Sequence, residues 1–234
     1  MQKIAVYTGT RNLYQHMIPA IKSLIANSTV EKIYLLIEDN EFPYPLPDIV
    51  ETINIKPFTY ETFDNRGPNF DTPFTPLCLA RCAYGKILPE DVETVLQLDV
   101  DTIVASDLDG IWETDLSGKW FAAVEEYLSR WKPFGPLYFN AGVMLLNLKQ
   151  IRKDGIEGRL IETINTQKLS YIDQDAWNKF GVYHATHLDV KYNECFVTGY
   201  TDDPVIVHYA GMRDWMDRTD MKRAEYLERW RNEA

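Results

Sequence analysis

Short apolar runs alternate along the chain with longer stretches whose apolar residues recur every three or four positions. The short runs are typical of buried strands and lie at 3–8, 32–37, 92–98, 121–125 and 138–148, with a brief further run at 205–207. Residues 50–55 alternate between apolar and polar side chains and predict a further strand. The longer stretches predict amphipathic helices at 12–26, 77–88, 150–165, 174–180 and 218–230. Strands that alternate with helices favour parallel pairing through right-handed crossovers. The pattern therefore predicts an α/β fold.

Two polar segments separate the early elements. Residues 39–48 contain three prolines, and residues 57–73 contain Asn65, Gly67 and Pro68, so both segments are predicted as loops. A loop as long as the second is uncommon inside a compact domain unless it is functional. Because ligands of parallel sheets bind at the carboxyl ends of the strands, the chemistry is expected directly after each strand.

The composition narrows the function classes. The 234 residues include 24 basic and 35 acidic side chains, which gives a net charge of −11. A phosphate backbone needs a basic face, so nucleic acid is not an expected partner. Hydrophobic residues make up 45% of the chain and aromatic residues 13%, which excludes a disordered acidic chain. The length suits one α/β domain over residues 1–234.

Cysteine spacing and the N-terminal pattern indicate the compartment. The spacing of Cys78, Cys82 and Cys195 matches neither a disulfide framework nor a zinc site, so buried free thiols are expected. Residues 1–7 lead into a strand pattern without a signal segment, and no apolar run approaches the length of a membrane span. These features predict a soluble cytoplasmic protein. The basic residues of 218–230 leave peripheral membrane contact as an alternative, but the acidic residues between them favour a packed surface helix.

Two carboxylates follow the strand predicted at 92–98. Asp99 and Asp101 stand at i and i+2, and side chains at that spacing point to one side of an extended chain. Two carboxylates held close together need a cation or a shared proton. A hard divalent metal that also binds substrate phosphates fits such a pair. A D-x-D triplet alone is a weak signal, and solvated acids are the alternative.

His208 is the best candidate for a third ligand, because it directly follows the apolar run 205–207 and therefore stands at a strand end. Two carboxylates with one imidazole favour Mn²⁺ over Mg²⁺, since nitrogen ligands suit the softer ion. The three residues together predict a divalent metal site.

The order of the motifs resembles the family-8-type, metal-dependent retaining glycosyltransferases, which include bacterial galactosyl- and glucosyltransferases and glycogenin. The resemblance covers nearly the whole chain. The segments that carry it are VLQLDVDTIV at 95–104, YFNAGVMLLNL at 138–148, DQD at 173–175, YN at 192–193 and HYAG at 208–211. Each segment alone is moderately specific, and the five in register make the resemblance strong.

The resemblance implies a single Rossmann-like nucleotide-sugar domain of the GT-A type, with a mostly parallel central sheet and helices on both faces. Within it, residues 1–105 would form the nucleotide-binding half and residues 106–217 the donor-sugar and acceptor half. Residues 218–234 would form a C-terminal helix. The implied reaction moves a hexose from a nucleotide diphosphosugar, expected to be a UDP-sugar, to a glycan or other hydroxyl acceptor.

The resemblance also implies roles for individual residues. The ligands of Mn²⁺, or of Mg²⁺ in its place, would be Asp99, Asp101 and His208. The nucleotide would contact Thr8, Gly9, Asn12, Tyr14, Val100, Gly211 and Arg213. The donor sugar would contact Arg81, Asn140, Ala141, Asp173 and Gln174. Two departures stand out: Arg213 replaces the family's lysine in a segment one residue shorter, and the acidic residues usual near the uracil are missing from 9–14.

Retention of the anomeric configuration constrains the catalytic residues, which are expected to be Asp173 and Gln174. An amide is a poor nucleophile, so same-face attack is favoured, with Gln174 stabilising an oxocarbenium-like centre. A covalent route through Asp173 or Asp175 stays open. The acceptor is expected between the exposed indoles of Trp131 and Trp215.

Two other classes compete with this interpretation. The segment Asp99 to Ile103 also resembles the first motif of haloacid-dehalogenase-type phosphatases, in which the first aspartate is a nucleophile. That motif normally lies near the N-terminus and requires a later lysine. A non-catalytic sugar-binding module is the other alternative, since tryptophans form sugar platforms, although most tryptophans pack in cores.

Overall fold

The computed structural model describes residues 2–70, 76–127, 135–211 and 215–231. Its strands are β1 (Ile4–Thr8), β2 (Lys32–Ile37), β3 (Val50–Asn54), β4 (Thr94–Leu98), β5 (Thr102–Val104), β6 (Phe121–Glu125), β7 (Phe139–Asn147), β8 (Ala185–His187) and β9 (Ile206–His208). Its α-helices are α1 (Tyr14–Ala26), α2 (Lys56–Thr62), α3 (Tyr84–Ile87), α4 (Leu148–Asp154), α5 (Ile156–Thr166), α6 (Ile172–Gly181) and α7 (Ala224–Arg231). Within these ranges no helix has both the length and the apolar character needed to span a bilayer.

Seven strands form the central sheet in the order β3-β2-β1-β4-β7-β6-β8. Strands β1 to β4 pair in parallel, β7 pairs antiparallel with both β4 and β6, and β8 pairs in parallel with β6. The sheet is therefore mostly parallel, as the sequence pattern predicts. Because β7 alone runs against its neighbours, its amino end lies at the same edge as the carboxyl ends of β1, β4 and β6.

Side chains alternate between two cores on the two faces of the sheet. In β1, Ile4 and Val6 pack in the core that contains the apolar residues of α4, α5 and α6, whereas Ala5 and Tyr7 pack against α1. Burial of each large apolar side chain contributes about 1.5–3 kcal/mol to stability. Helices thus cover both faces and leave the edges of the sheet as the place for chemistry.

A small second sheet completes the fold. Strand β5 pairs antiparallel with β9 in a register that sets Thr102 opposite His208. A third core holds this pair against the C-terminal segment, and its buried members are Ile103, Val207, Tyr209, Trp215, Met221, Ala224, Leu227 and Trp230. The predicted C-terminal helix begins later than expected, at Ala224 rather than at residue 218. This segment therefore supports the strand that ends at His208.

Several local predictions were wrong. The segment predicted as a loop from residue 57 begins with helix α2, in which Pro57 occupies the first turn, where its missing N–H costs nothing. The helix predicted at 77–88 is instead a 3₁₀ helix, Pro76–Cys82, followed by α3. The helix predicted at 150–165 is divided into α4 and α5 at Gly155, whose φ of 63° favours glycine. Strands β5 and β8 were not predicted, because neither contains three apolar residues in succession like the run 205–207 that predicted β9.

The expectation of buried cysteines outside any disulfide is confirmed for Cys82 and Cys195. Cys78 is also outside a disulfide, but it is only half-buried. Burial raises the pKa of the Cys82 thiol. Cys82 therefore behaves as a small apolar residue of the core.

One buried carboxylate makes stability depend on pH. Glu157 in the first turn of α5 is 5% exposed and accepts a hydrogen bond of 2.6 Å from the Gly85 N–H. Burial raises the pKa of Glu157 to about 7. Between about pH 4.5 and pH 7 the folded protein therefore holds a proton that the unfolded chain has released, and stability falls as the pH rises through this window.

We expect Glu157→Gln to stabilise the protein at pH 8, because glutamine keeps the acceptor for Gly85 without a buried charge. The gain in unfolding free energy should be roughly 2 kcal/mol larger at pH 8 than at pH 5. Urea denaturation of both proteins at the two pH values measures this difference. An equal effect at both values would mean that Glu157 is ionised throughout.

Candidate active site

Loops from four strands meet at one edge of the central sheet. Thr8 ends β1, Leu98 ends β4, Glu125 ends β6, and Phe139 begins β7 at the same edge. The polar residues predicted for the site follow or precede these strands directly. The topology, rather than proximity in sequence, therefore brings residues near positions 8, 99, 126 and 140 together.

The segment between β4 and β5 is a tight turn. The Thr102 hydroxyl donates to the Asp99 carbonyl at 2.7 Å, and the Asp99 N–H donates to the Gly142 carbonyl of β7 at 2.8 Å. Asp99 and Asp101 therefore lie on one side because the turn folds them together. The sequence argument from an extended strand was wrong on this point, although its conclusion that the carboxylates share a side is right.

The pairing of β5 with β9 places His208 next to the two carboxylates. The Tyr209 N–H donates to the Asp101 carbonyl at 2.9 Å. His208 Nε2 then lies 3.3 Å from Asp101 Oδ1 and 3.7 Å from Asp99 Oδ2. One ligand atom from each of these three residues lies within 4.8 Å of the others. Among the described residues this is the one cluster of three or more such groups.

The imidazole of His208 is buried and held in one orientation. Its Nδ1 lies 2.8 Å from Asn193 Oδ1, so Nε2 faces the carboxylates. Burial alone would lower the pKa of His208, but the Asp101 carboxylate raises it to about 10. Two carboxylates and one imidazole nitrogen form a donor set that suits Mn²⁺ and also accepts Mg²⁺. The residues present therefore fit a divalent cation.

Arg81 bridges the carboxylate turn to helix α6. Its guanidinium forms an ion pair with Asp99 and donates from Nη1 to Asp173 Oδ2 at 2.9 Å. Burial raises the pKa of Asp173, and the guanidinium offsets part of this rise. Arg81 is thus the cation that lets Asp99 and Asp173 approach one another at a partly buried position.

Gln174 lies against the beginning of β7. Its Oε1 accepts the Ala141 N–H at 2.8 Å, and its Nε2 donates to Glu126 Oε1 at 3.0 Å. Asn140 donates to the same Glu126 oxygen at 2.7 Å. The structure therefore brings Asn140, Ala141 and Gln174 together in one cluster, and Arg81 with Asp173 lies beside it.

Asp175 belongs to the scaffold. Its carboxylate is 4% exposed and accepts hydrogen bonds from the Tyr138 hydroxyl and from the N–H groups of Ser170 and Tyr171. These contacts close the first turn of α6. Because both oxygens are already bonded, Asp175 is a poor candidate for a nucleophile.

Some of the residues predicted to bind the nucleotide lie close to one another. Gly9 follows β1, and a Cβ at that position would lie 3.5 Å from Val100 Cγ1, so the first loop contacts the carboxylate turn. Tyr14 is buried, donates to Asp39 and accepts the Glu38 N–H, and so faces the end of β2. The remaining members are Thr8, which bonds Tyr84, exposed Asn12 and exposed Gly211. Arg213 lies outside the described residues.

One of the two tryptophans predicted to border the acceptor is buried. Trp215 was expected to be exposed, and this is wrong: it is 2% exposed and stacks on Tyr209 with ring centroids 5.2 Å apart. Trp131 lies outside the described residues. Two exposed aromatic residues lie nearer to site residues: Tyr127 directly follows Glu126, and Phe196 Cε1 would lie 4.0 Å from a Cβ at Gly211.

Two residues of the site were missed in the sequence. Glu126 follows β6 at the functional edge, and the signal was the strand-end position that singled out Asp99. Gly142 is the other: a Cβ there would lie 2.1 Å from His208 Cε1 and 2.6 Å from His208 Nδ1. A glycine inside a strand often marks such a close approach, so its place in the apolar run 138–148 was the signal.

Comparison with known proteins gives a consistent result. The model of the family described as Glycosyl transferase family 8 matches residues 6–219. The lipopolysaccharide 1,2-glucosyltransferase of Escherichia coli is 30% identical over 42% of this chain, and the lipopolysaccharide 1,3-galactosyltransferase of Salmonella typhimurium is 32% identical over 32%. The matched segments span only 37% and 26% of those relatives' own lengths.

Solved structures agree on the fold. The galactosyltransferase LgtC, in complex with donor and acceptor sugar analogs, is similar with a TM-score of 0.79 at 20% identity. The similarity covers 98% of this chain and 95% of that chain. The seven-stranded sheet and its helices are therefore those of the GT-A fold.

Proposed function

The chain belongs to glycosyl transferase family 8, and we propose that it is a retaining hexosyltransferase. The proposed reaction moves a hexose from a UDP-sugar to a hydroxyl of a glycan acceptor and retains the anomeric configuration. One observation carries the proposal: Asp99, Asp101 and His208 converge at the sheet edge where the first loop also lies. One GT-A domain over residues 1–234 would then hold the nucleotide mainly through residues 1–105 and the donor sugar and acceptor through residues 106–217.

The proposed cation is Mn²⁺, held by Asp99, Asp101 and His208. When bound, it supplies positive charge that offsets the charge of the departing nucleoside diphosphate. The chain itself keeps the ligands in place through the Thr102 hydroxyl, the Tyr209 N–H and the Asn193 side chain. Such prearranged groups cost no reorganisation during the reaction.

Arg81 and Asp173 are proposed to bind hydroxyls of the donor sugar. Their ion pair is only partly exposed, with side-chain exposures of 14% and 12%, so few solvent molecules compete with a ligand there. Asn140 and Ala141 would form the adjoining wall. A carboxylate and a guanidinium fixed in this way can accept from and donate to neighbouring sugar hydroxyls.

The nucleotide is proposed to lie along Thr8, Gly9 and Val100. Gly9 is buried and Val100 is half-buried, and a Cβ at Gly9 would lie 3.1 Å from Met17 Cε and 3.5 Å from Val100 Cγ1, so only a glycine lets the first loop pack this closely. Asn12 and Tyr14 would lie nearer the base, and Gly211 with Arg213 would contact the diphosphate.

Retention is proposed to proceed by same-face attack, with the leaving phosphate accepting the proton of the acceptor hydroxyl. The two catalytic residues proposed earlier take different parts: Asp173 binds the sugar, and Gln174 lies beside Ala141 with its amide fixed at both ends. A fixed amide dipole can stabilise positive charge at an oxocarbenium-like carbon. The bonded state of Asp175 supports this route over a covalent one through that residue.

We expect Gln174→Ala to lower kcat by roughly 10- to 100-fold with a smaller change in the donor KM, because a dipole aimed at developing charge acts mainly in the transition state. Steady-state kinetics with a saturating acceptor measure both constants. Gln167→Ala, at an exposed glutamine after α5, is the matched control. Full activity of Gln174→Ala would contradict the role assigned to this amide.

The test of the function is a panel of UDP- and GDP-sugars incubated with Mn²⁺, in which released nucleoside diphosphate is measured. We expect release from one or more UDP-hexoses and loss of release in Asp101→Ala. Hydrolysis of p-nitrophenyl phosphate instead would favour the phosphatase alternative. Absence of release, together with absence of thermal stabilisation by any donor, would favour the sugar-binding module.

A further inference from the structure

A chain of buried hydrogen bonds runs from His208 away from the carboxylates. His208 Nδ1 lies 2.8 Å from Asn193 Oδ1, Asn193 Nδ2 donates to Asn140 Oδ1 at 2.8 Å, and Asn140 Nδ2 donates to Glu126 Oε1 at 2.7 Å. The exposures of these four residues are 6%, 0%, 6% and 7%, so water does not compete with the bonds. Every step of the chain joins two side chains.

The donor and acceptor of each bond follow from neighbouring groups that have one fixed role. The Gly142 backbone N–H, an obligatory donor, points at Asn140 from 2.9 Å, so the atom of Asn140 that faces it must be the oxygen. The other end of the same amide faces the Glu126 carboxyl, an acceptor. Asn140 is therefore held in one orientation from both sides.

The orientation of the Asn140 amide determines the orientation of the Asn193 amide. Because Asn140 presents its oxygen, Asn193 must present its NH₂ group to Asn140, which leaves the Asn193 oxygen facing the imidazole. An amide oxygen only accepts, so Nδ1 of His208 must carry the proton. Asp99 and Asp101 face the other nitrogen, Nε2, so a divalent cation held by these carboxylates would replace the Nε2 proton and meet the lone pair of the neutral imidazole.

We propose that Asn193 is a positioning residue that fixes the Nδ1–H tautomer of His208 and thereby presents Nε2 to the divalent cation. The opposite tautomer would set a lone pair of His208 against the Asn193 oxygen and leave a buried acceptor without a donor. Metal-binding histidines depend on such a partner at the second nitrogen, whose loss typically costs 10- to 100-fold in metal affinity.

The same relay reaches the reacting centre. Glu126 Oε1 also accepts the Nε2 group of Gln174 at 3.0 Å, so one carboxylate orients both the amide beside the sugar pocket and the relay to the metal histidine. The inference rests on the proposed function only in placing a divalent cation at Asp99, Asp101 and His208.

The test uses Mn²⁺ alone, with binding measured by the electron paramagnetic resonance of the free ion. We expect Asn193→Ala to weaken binding 10- to 100-fold. Asn193→Asp keeps an acceptor for Nδ1–H but cannot donate to Asn140, so it should stay within about threefold of wild type despite lost stability. Asn69→Ala removes another buried asparagine, bonded to the Ile164 and Gln167 carbonyls, and controls for destabilisation alone.

A second readout reports the tautomer directly. The chain has four histidines, so ¹⁵N spectra of the diamagnetic Mg²⁺-loaded protein resolve His208, and a His208→Gln sample assigns its signals. We expect a protonated Nδ1 and a proton-free Nε2 in wild type and Asn193→Asp, whereas Asn193→Ala at the same Mg²⁺ concentration should keep a protonated Nε2 in part of the molecules, because its weaker cation site is partly empty. Equal losses of Mn²⁺ affinity in both Asn193 variants, or a protonated Nε2 in wild type, would overturn the inference. Because no nucleotide sugar is present, an error in the proposed donor would not change these results.

Discussion

Asp101→Asn should abolish most of the transfer activity, by roughly a thousandfold in kcat/KM, equivalent to about 4 kcal/mol of transition-state stabilisation. The substitution keeps the shape of the side chain and removes its charge. Asp101 Oδ1 lies 3.3 Å from His208 Nε2, so the amide also removes the anion that pairs with this histidine. The cation would lose a ligand, and the departing diphosphate would lose the positive charge that stabilises it.

Matched controls separate this effect from misfolding. Asp107→Asn changes an exposed acid whose carboxylate accepts the Asp109 N–H, so the same loss of charge occurs a few residues away. Initial rates across a range of Mn²⁺ concentrations, with thermal melts of both variants, give the comparison. Retention of more than a tenth of the activity by a folded Asp101→Asn protein would contradict the assignment of Asp101 as a ligand.

Gly142→Ala should weaken Mn²⁺ binding about 100-fold or more, although the substitution replaces no charged residue. The added Cβ would lie 2.1 Å from His208 Cε1 and 2.9 Å from Asn140 Oδ1, so the imidazole must move. Movement breaks its bond with Asn193 and shifts Nε2 away from the carboxylates. Overpacking of this kind typically also costs about 1–3 kcal/mol of stability.

Gly158→Ala is the control for the glycine substitution. A Cβ at Gly158 would meet nothing within 4 Å, and alanine favours helix α5 by about 0.5–1 kcal/mol. Titration of both variants with Mn²⁺, followed by urea denaturation, distinguishes loss of the site from loss of the fold. Unchanged Mn²⁺ affinity in Gly142→Ala would mean that the close approach to His208 does not shape the metal site.

The sequence predicted the framework better than the connections. The apolar runs that became β1, β2, β4, β6 and β7 stand out because their side chains are buried on both faces of the sheet. Strands β5 and β8 have three residues each, and neither has the unbroken apolar run that made the equally short β9 visible. The break at Gly155 was equally hidden, because the apolar positions continue in helical spacing on both sides.

The candidate site shows the same division. Asp99, Asp101 and His208 could be predicted because each follows an apolar run. The registers that join them, Thr102 opposite His208 and Leu98 opposite Val143, depend on tertiary pairing and leave no local signal. Glu126, Asn193 and Gly142 gain their roles from these registers. Contacts between these residues depend on strand pairing and could not be predicted from the sequence.

The acidity of the chain bears on how the donor binds. The net charge is −11, and the site holds Asp99, Asp101 and Asp173 close together. Arg81 is already paired with two of these carboxylates. A nucleoside diphosphate would therefore meet an excess of negative charge at this edge of the sheet unless a cation is bound first.

Calorimetric titration of UDP into the protein tests the central claim most directly. With saturating Mn²⁺ we expect UDP to bind at least about 100-fold more tightly than in EDTA, a difference of about 2.7 kcal/mol. Asp101→Asn should remove this difference, whereas Asp107→Asn should keep it. Equal affinity of the wild-type protein for UDP in Mn²⁺ and in EDTA would contradict a metal-dependent nucleotide-sugar site at Asp99, Asp101 and His208.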